Sequence, residues 1–532
     1  PESAAVYYRV DSQTATPAQQ RAFKDAARRF SEDCTAEAGR PELLPYLGTA
    51  QAAEDLEVFR QVLQDEQLWL YGESYGTQFS QTYAAAHPDR LAGLVLDGTV
   101  DLTLDGPGFY EQQARAFSDT VTATLRHCTQ VPACAADLGG DAVRLYDRLA
   151  ADLAAAPRSF EFPLADGGTD RRAFSFTDLE VVAAGQVYNE GDRMMLQRAL
   201  AGAARGDVVP LARLLYLSLG VDPQTEQVIP DPSYSDAIFY GVECQDYAYF
   251  SGTPDERADA YLRAGQFVEA AVPRLASLFY GDLPCAFWPD ATTDPARPAP
   301  LVAEGVPTLV LGATADPATP YANGVSVFGR LADGYLVSQE GGPHVIFGRG
   351  NSCPDDLVTE FLVHDRRPER RRTTCPGYLV DDYVPIAPAD AGSFDATEEV
   401  LASAETEIGY LPEYYYWDGV EPSATGCGQG GTLGLTGDGV TYRFDLDRCA
   451  FSNGFAMTGR GSYDSAVDRF ELHVRVGPEC RLDYVRVGTR TEVRGDCDGR
   501  AVSSDGDRER ADRREREPER SRPADGDRAG GP

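Results

Sequence analysis

The sequence predicts an α/β protein in which a helical insertion divides the sheet-forming part of the chain and an antiparallel β domain follows. Before residue 104 and after residue 295, helical patterns alternate with short apolar strands, as in a parallel sheet covered by helices. The segment between them is rich in alanine and has helical periodicity. Beyond residue 410, apolar and polar side chains alternate with a period of two, which is typical of antiparallel strands with one face in solvent.

We therefore expect six segments along the 532 residues, a length that allows two to four domains. They are the first part of the α/β core (1–103), a helical cap insertion (104–295), the C-terminal part of the core (296–385), a linker (386–409), a β-rich domain (410–498) and a disordered tail (499–532). From residue 503 onward the only apolar side chains are three alanines. That composition cannot bury a core, which is why the tail is expected to be disordered.

Local signals define the elements of the first part. Thr16, followed by a proline, predicts the start of a helix, and Thr49 is expected to cap a second one. Apolar strands are expected at Leu68–Tyr71 and Leu91–Leu96, with a helix between them that ends near His87. The apolar positions expected to bury the two leading helices are Phe23, Ala27, Phe30 and Cys34, and then Ala52, Leu56, Phe59 and Leu63.

The remaining elements follow from the same periodicities. The insertion is expected to be helical throughout, without strands, and strands are expected to return near residue 308. Expected helices of the insertion are Leu145–Ala154, Ala183–Ala203 and Ala258–Ala271, and expected later strands are Thr308–Gly312, Tyr335–Val337, Tyr442–Leu446 and Phe470–Val476.

Charge and composition exclude several functions. The chain carries 48 basic and 84 acidic residues, a net charge of −36, which argues against a nucleic-acid partner. No run of 18 apolar residues occurs, so we expect no membrane-spanning helix. No Cys/His cluster has zinc spacing and no glycine pattern would cradle a phosphate, so we expect neither a metal nor a cofactor.

Eleven cysteines suit an exported protein folded in an oxidising compartment. We expect it to be secreted or at the cell surface, with a signal peptide upstream of the printed residues. Cysteines that are close in sequence or bracket one loop are expected to pair, and Cys34 is left over. The expected disulfides are Cys128–Cys134, Cys244–Cys285, Cys353–Cys375, Cys427–Cys449 and Cys480–Cys497.

The strongest chemical signal is a G-x-S-x-G motif at residues 72–76, after an apolar strand and before a helix. The flanking glycines allow a tight turn that lifts the hydroxyl of Ser74 clear of the end of the sheet. The N–H of the next residue, Tyr75, would then point to where an oxyanion forms. We interpret Ser74 as a nucleophile, the alternative being an ordinary turn that contains serine.

A nucleophilic serine needs a base and an acid, and in this class of fold the chain order is serine, acid, histidine. Of the five histidines, His344 is favoured because it stands in a Gly-Gly-Pro-His loop directly after an apolar strand. For the acid we favour Asp316, in the loop after the preceding strand, where the alternative role is an Asx-turn. Asp97, at the end of Leu91–Leu96, is the rival acid. The remaining histidines are interpreted as a helix cap or as surface residues: His87, His127, His364 and His473.

Several motifs together resemble secreted bacterial tripeptidyl aminopeptidases, in the prolyl-aminopeptidase branch of the α/β-hydrolase serine peptidases. The resemblance spans roughly residues 17 to 380. It implies an α/β-hydrolase core, an acyl-enzyme route that releases residues or short peptides from a free N-terminus, and Ser74, Asp316 and His344 as the triad. The segments that carry it are Leu43–Thr49, Gly72–Thr77, Leu94–Gly98, Thr314–Pro320 and Glu340–His344.

The sequence departs from that family in one respect. Its members carry, well before the nucleophile, a glycine- and proline-rich loop that supplies a second oxyanion donor, and residues 1–71 contain no such loop. Only one strand pattern, Leu68–Tyr71, precedes Ser74. We therefore expect the N-terminal strands of the core to be missing, supplied by an absent segment or a complementing chain, with an open sheet edge near the nucleophile strand.

Three functions remain open on these grounds. The leading one is a serine exopeptidase acting on peptides. The alternatives are a carboxylester hydrolase, since a triad alone does not choose amide over ester, and an inactive hydrolase-like binding protein. The β domain could contact carbohydrate or cell wall through the aromatic residues 414–417, although such clusters are more often core.

An aminopeptidase needs a carboxylate for the ammonium group of its substrate, and an insertion between core strands covers the strand ends where Ser74 is expected. The best candidates in the insertion are Glu243 and Asp246, which lie among aromatic residues beside a cysteine. The alternative is that both are ordinary surface acids. Glu73 competes because it adjoins the nucleophile, but its side chain is expected to point into the domain.

Overall fold

The computed structural model describes residues 6–289, 301, 303 and 305–507. Its helices are α1 Pro17–Glu37, α2 Thr49–Leu63, α3 Tyr75–Ala86, α4 Gly106–Gln130, α5 Pro132–Asp137, α6 Ala142–Ala155, α7 Phe176–Gly185, α8 Glu190–Ala204, α9 Val209–Ser218, α10 Asp236–Asp246, α11 Pro254–Ala271, α12 Tyr321–Arg330, α13 Ser352–His364, α14 Thr397–Gly409 and α15 Pro412–Tyr415. Its strands are β1 Leu68–Glu73, β2 Leu91–Asp97, β3 Arg158–Pro163, β4 Thr169–Phe174, β5 Thr308–Ala313, β6 Gly334–Gln339, β7 Arg372–Cys375, β8 Ser423–Gly426, β9 Thr432–Gly437, β10 Thr441–Cys449, β11 Met457–Asp464, β12 Arg469–Val476, β13 Cys480–Val487, β14 Arg490–Cys497 and β15 Arg500–Asp507.

A five-stranded parallel sheet forms the core that carries the predicted motifs. Its strand order is β1–β2–β5–β6–β7, and every neighbouring pair is parallel. The central strands β2 and β5 are buried on both faces because their side chains are almost all apolar. The predicted parallel sheet with covering helices, followed by a separate antiparallel sheet, is confirmed.

The nucleophile strand β1 lies at the edge of this sheet, where its residues are mostly half-buried. The adjoining helix α2 exposes four apolar side chains on its outer face. They are Val58, Phe59, Val62 and Leu63.

The first helix follows the prediction and the second departs from it. Thr16 caps α1 through a capping box, and the four predicted apolar positions of α1 are buried. Helix α2, in contrast, begins at Thr49 itself, because the Thr49 hydroxyl contacts Asp246 instead of capping the helix. The predicted stripe of α2 is also wrong, because Phe59 is exposed and the buried face includes the ion pair of Glu57 and Arg60.

The insertion is mainly helical but contains a hairpin that the alanine-rich pattern did not predict. Strands β3 and β4 pair in antiparallel fashion across a turn at Asp166–Gly168. Phe162 of β3 is fully buried, and the guanidinium of Arg172 in β4 lies over its ring. The single helix expected over Ala183–Ala203 is two helices, because Asn189 caps α8 and starts a new axis.

The disulfide prediction is confirmed in full. The five disulfides are Cys128–Cys134, Cys244–Cys285, Cys353–Cys375, Cys427–Cys449 and Cys480–Cys497. Cys34 carries a free, buried thiol.

The C-terminal domain is an eight-stranded antiparallel sheet in which β8 to β15 follow one another in order. Helix α14 covers one face and places Leu401, Ala404 and Ile408 in its core. The final strand, β15, lies inside the segment expected to be a disordered tail, which is a correction for residues 500–507. Its main chain is held by a full register of pairing with β14, which outweighs its polar composition. Residues 508–532 lie outside the described residues.

The β domain packs on the cap through buried charge and aromatic rings. Arg213 of α9 donates to Thr425 and to the carbonyl oxygen of Gly426, and it pairs with Glu413. The Tyr416 hydroxyl donates to Asp192 of α8 at 2.7 Å, and Tyr414 is buried in the core of the β domain. The aromatic cluster at 414–417 therefore serves mainly in packing. None of the helices that the structure describes is long and apolar enough to cross a membrane.

Candidate active site

Ser74 occupies the turn between β1 and α3. Its backbone has φ 52° and ψ −124°, a strained combination for a residue with a side chain. The turn is held on both sides, because the Ser74 N–H donates to the carbonyl oxygen of Asp97 at 2.8 Å and the Thr77 N–H donates to the Ser74 carbonyl oxygen at 2.9 Å. Gly72 is required for close approach, since a Cβ there would lie 2.3 Å from the carbonyl oxygen of Gly76. These contacts build the sharp turn that the motif predicts.

Asp316 and His344 lie in the loops that follow β5 and β6. The Nδ1 atom of His344 is 3.0 Å from each carboxylate oxygen of Asp316, and both side chains are almost completely buried. Backbone N–H groups of Ala318 and Thr319 donate to Asp316 Oδ1, and the Thr319 hydroxyl donates to Oδ2 at 2.9 Å. The carboxylate is thus fixed by three donors besides the imidazole, and one of them, the Thr319 hydroxyl, also lies 3.3 Å from His344 Nδ1.

This pairing decides the tautomer of the imidazole. An ionised carboxylate only accepts hydrogen bonds, so Nδ1 of His344 carries the proton that faces Asp316. The other ring nitrogen, Nε2, is then left with its lone pair, which is the form a general base requires.

Asp97, the rival acid, has a different part. Its carboxylate accepts the N–H groups of Ile346 and Phe347 at 2.9 to 3.1 Å. Val345, which stands between His344 and Ile346, has φ 65°, which is unfavourable for a β-branched residue. Asp97 therefore anchors the strained turn that carries His344. Burial raises the pKa of Asp97 to about 6, against the opposing effect of these hydrogen bonds.

The end of β2 brings the three loops together. Asp97 holds the backbone of Ser74 on one side, and Gly98 adjoins the Asp316–His344 pair on the other. A Cβ on Gly98 would lie 3.2 Å from Cε1 of His344 and 2.8 Å from Oγ1 of Thr319. The predicted nucleophile and the predicted base and acid thus flank the same two residues of one strand end.

The cap closes over this pair. The His344 N–H donates to the carbonyl oxygen of Tyr188 at 2.7 Å, and the Tyr188 ring lies edge-on to the imidazole with centroids 5.6 Å apart. Tyr188 stands in the short connection between α7 and α8. The imidazole is therefore positioned by the insertion as well as by the sheet.

Tyr75, the predicted oxyanion donor, is the first residue of α3. Backbone N–H groups in the first turn of a helix have no acceptor within the helix, and the helix dipole there favours negative charge. The Tyr75 side chain reaches the start of α2, where its hydroxyl is 2.6 Å from Oγ1 of Thr49. The Tyr75 backbone thus belongs to the nucleophile turn, whereas its side chain contacts Thr49.

The three candidate carboxylates for the substrate ammonium lie in different surroundings. Both oxygens of Asp246 are engaged, Oδ1 by the Thr49 N–H at 2.9 Å and Oδ2 by the Gln78 amide at 2.7 Å and the Thr49 hydroxyl. Asp246 therefore joins α10 to the start of α2 and to α3. Glu73 accepts from the Tyr71 hydroxyl at 3.1 Å, and its side chain is 38% exposed, contrary to the expectation that it points into the domain.

Glu243 lies on α10, next to the bridged Cys244 and three residues before Asp246. Burial raises the pKa of Tyr75, and the charges of Asp246 and Glu243 raise it further. Glu243 acts in the same direction on the buried hydroxyls of Tyr110 and Tyr249. The Glu243 carboxylate is thus within electrostatic range of the residue that follows Ser74.

Sequence reasoning missed the residues that support the pair. Thr319 stands in the quoted Thr314–Pro320 motif, and its spacing of three from Asp316 is the signal of an Asx-type turn. Gly98 closes the motif at the end of β2. Tyr188 gave no signal, because only the folded cap places it on His344. Within the described part of the chain, no group of three or more His, Cys, Asp or Glu side chains could hold a metal ion.

Comparison with known proteins finds one family match and several relatives. Residues 275–375 match the profile of a family described as "TAP-like protein". Serine protease Hip1 of Mycobacterium tuberculosis is 28% identical over 356 residues, which are 65% of this chain and 65% of that protein. Tripeptidyl aminopeptidase of Streptomyces lividans is 25% identical over 387 residues, 69% of this chain and 65% of that protein.

The predicted resemblance to tripeptidyl aminopeptidases is confirmed. A third relative, Carboxylesterase B of Mycobacterium tuberculosis, is 28% identical over 362 residues, 66% of this chain and 65% of that protein. The chain therefore spans about 65% of the length of the curated relatives it matches. These relatives are named as a serine protease, a tripeptidyl aminopeptidase and a carboxylesterase, the kinds of enzyme that the sequence predicts.

Proposed function

We propose that this chain is a serine exopeptidase that cleaves peptides from a free N-terminus, with Ser74, His344 and Asp316 as its triad. The observation that carries the proposal is the buried Asp316–His344 pair, 3.0 Å apart, beside the strand end that holds the backbone of Ser74. The similarity to a tripeptidyl aminopeptidase and to a serine protease supports peptide as the substrate.

The reaction follows from the proton positions. Nε2 of His344 takes the proton of the Ser74 hydroxyl as its oxygen attacks the scissile carbonyl carbon, and the oxyanion that forms is stabilised by the Tyr75 N–H. The C–N bond then breaks, and the imidazolium returns the proton to the leaving amine. Water, deprotonated by the same imidazole, hydrolyses the acyl-enzyme and releases the free carboxylate and Ser74. Asp316 stays ionised and stabilises the imidazolium in each half of the cycle.

For recognition of the amine we propose Glu243 as the carboxylate that meets the ammonium group. Asp246 is a weaker candidate because its oxygens already serve α2 and Gln78, so its part is to hold the Glu243 helix against the core. Glu73 is the least suited, because it is partly exposed, accepts from the Tyr71 hydroxyl and lies beside Arg349. A charge-assisted hydrogen bond of this kind contributes about 1.5–3 kcal/mol, or roughly 10- to 100-fold in affinity.

The second candidate is a carboxylester hydrolase, which the similarity to Carboxylesterase B favours. The same triad can cleave an ester, because the acylation step differs only in the leaving group. The two functions differ in what they need from the cap. Only the exopeptidase depends on a charged N-terminus.

The experiment is active-site labelling followed by substrate comparison. A fluorophosphonate probe is expected to form a covalent adduct on Ser74, found by mass spectrometry and absent in Ser74→Ala. A tripeptide anilide with a free amine should then be cleaved, and its N-acetylated form should not. An unlabelled Ser74 in the folded protein would overturn the proposal and favour the inactive binding protein. Equal cleavage of both forms would rule out a requirement for the free amine, and cleavage of an ester with neither anilide cleaved would favour the esterase.

The amine assignment is tested by Glu243→Gln, with Glu111→Gln as the matched control. Glu111 lies on cap helix α4 in an exposed pair with Arg115. We expect Glu243→Gln to raise KM for the free-amine peptide by about tenfold or more and to leave a neutral ester unaffected. Equal losses on both substrates would mean that Glu243 supports folding.

We also propose export to an oxidising compartment. Five disulfides spread over the cap, the core and the β domain support this location, since such bonds persist where thiols are not kept reduced.

A further inference from the structure

Arg193 is a fully buried arginine of the cap, in the first turn of α8. Within the described residues all of its hydrogen bonds go to backbone carbonyl oxygens, and these belong to four different segments. Nε donates to Val187 at 2.9 Å, Nη1 to Gly342 at 2.8 Å and to Leu379 at 2.9 Å, and Nη2 to Ala315 at 3.0 Å.

Two of these acceptors stand beside the proposed acid and base. Ala315 directly precedes Asp316, and Gly342 is two residues before His344. A third, Val187, adjoins Tyr188, whose carbonyl oxygen accepts the His344 N–H. One guanidinium therefore joins the acid loop, the base loop and the cap segment that touches the imidazole.

We infer that Arg193 is a positioning residue, which fixes the distance between Asp316 and His344 by holding the carbonyl groups of both loops. The inference rests on the proposed function and extends it, because it moves part of the catalytic geometry from the sheet to the insertion. The planar, five-donor guanidinium suits this task, since its fixed fork sets the relative positions of the carbonyl groups that it meets.

The charge of Arg193 fits the same role. Burial lowers the pKa of Arg193 to about 10, and the negative charges of Glu190, Asp316 and Asp192 oppose that effect, so the side chain is protonated at neutral pH. A buried cation this close to Asp316 also balances the carboxylate charge. Lysine has only three donors on a flexible stem and could not reach all four carbonyl groups.

Arg198 offers a matched control on the same helix. It is also buried and also donates to backbone carbonyl oxygens, at Val384 and Pro385, and it pairs with Glu407. Its partners belong to the segment that leads to the β domain and to α14, not to the catalytic loops. Removal of Arg198 therefore leaves a comparable set of carbonyl groups unpaired at a place remote from Asp316 and His344.

The test compares Arg193→Met, Arg193→Lys and Arg198→Met at a temperature where circular dichroism shows that each variant is folded. We expect Arg193→Met to lower kcat on an ester or peptide substrate by about 100-fold, because loss of the guanidinium lets the loops of Asp316 and His344 shift by a fraction of an ångström or more. KM should change little, since Arg193 is buried and holds only backbone carbonyl groups of these loops. Arg193→Lys should fall between this variant and the wild type, and Arg198→Met should keep kcat within about twofold. Equal kcat values for Arg193→Met and Arg198→Met would overturn the inference.

A second readout does not depend on turnover. The chain has five histidines, so the downfield proton of the His344 Nδ1–H···Asp316 hydrogen bond can be assigned in spectra of ¹⁵N-histidine protein by its loss in Asp316→Asn. We expect this signal in the wild type and in Arg198→Met, and its loss or displacement in the Arg193 variants. An unchanged signal in Arg193→Met would refute the positioning role even if Ser74 were never labelled, whereas failure of labelling with the expected spectra would refute only the proposed function.

Discussion

Replacement of Gly98 by alanine should damage catalysis more than stability. Gly98 has φ +65°, and a methyl group there would lie 2.8 Å from Oγ1 of Thr319, 3.2 Å from Cε1 of His344 and 3.5 Å from Oδ2 of Asp316. Carbon atoms in contact are normally about 3.5–4.0 Å apart, so the imidazole must move by at least about 0.3 Å. The left-handed backbone costs a further 1–2 kcal/mol, roughly, for a residue with a Cβ.

The displacement acts on the two groups that must stay aligned. A misplacement of about 1 Å can cost roughly 100-fold in rate, so we expect Gly98→Ala to lower kcat/KM by about 10- to 100-fold. The midpoint of thermal unfolding should fall by only a few degrees, as expected for about 1–2 kcal/mol in a chain of this size. The assay is kcat/KM on a peptide anilide, together with the second-order rate of fluorophosphonate labelling.

Gly329→Ala is the control for this variant. Gly329 lies in α12, and a Cβ there would meet no atom within 4 Å. Alanine should be accepted at that helical position without loss of activity. If Gly98→Ala folded and kept kcat/KM within twofold of the wild type, the imidazole would not be in the position described, and the argument would be refuted.

Three further changes have defined outcomes. Asp316→Asn should lower kcat by about 10⁴-fold with little change in unfolding temperature, because the amide no longer selects the required tautomer of His344, and a loss below tenfold would point to another acid. Burial raises the pKa of Asp282 to about 7, above its value of about 3.9 in an unfolded chain. The folded protein therefore binds the proton of Asp282 more tightly than the unfolded chain does, and the free energy of unfolding falls as pH rises from about 4 to about 7, by at most about 4 kcal/mol. Denaturation across that pH range should show a smaller decline for Asp282→Asn, and an identical pH profile would contradict the assignment. Removal of the Cys244–Cys285 disulfide by double serine replacement should cost about 4 kcal/mol, since it closes 41 residues of the cap, and calorimetry with an unchanged cap transition would count against this.

The nucleophile turn and its partners could be predicted because their signals are local. A motif after a strand fixes Ser74, and histidine and aspartate in loops after successive parallel strands must meet at one edge of the sheet. The sequence leaves a choice between Asp316 and Asp97, since both stand at the ends of buried strands. The contacts favour Asp316 in our proposal, because it pairs with His344, whereas the Asp97 carboxylate accepts backbone N–H groups beyond His344.

Other parts depend on contacts between residues distant in sequence. Asp246 was predicted to meet substrate, but Thr49, 197 residues away, engages it first. Nothing in the sequence indicates that Arg193 reaches the loops of Asp316 and His344 and that Arg198 does not, since both lie in the same helix. The last strand, β15, has a composition that favours solvent, and only its pairing with β14 makes it a strand. In each case the sequence does not show which distant residue or strand will form hydrogen bonds with the group in the folded protein.

The cap, finally, has a structural part in the site besides covering it. Tyr188 accepts the backbone N–H of His344, Arg193 holds the loops of the acid and the base, and Asp246 joins the cap to the first turn of α2. Each of these contacts pairs a backbone N–H or carbonyl group at the end of a strand or helix. Without the cap, these buried backbone groups would lack a hydrogen-bonding partner. Hydrogen bonds therefore join the insertion directly to the loops of Asp316 and His344. We expect a perturbation that unfolds the cap to loosen both loops, because it removes the donors and acceptors that hold their backbone.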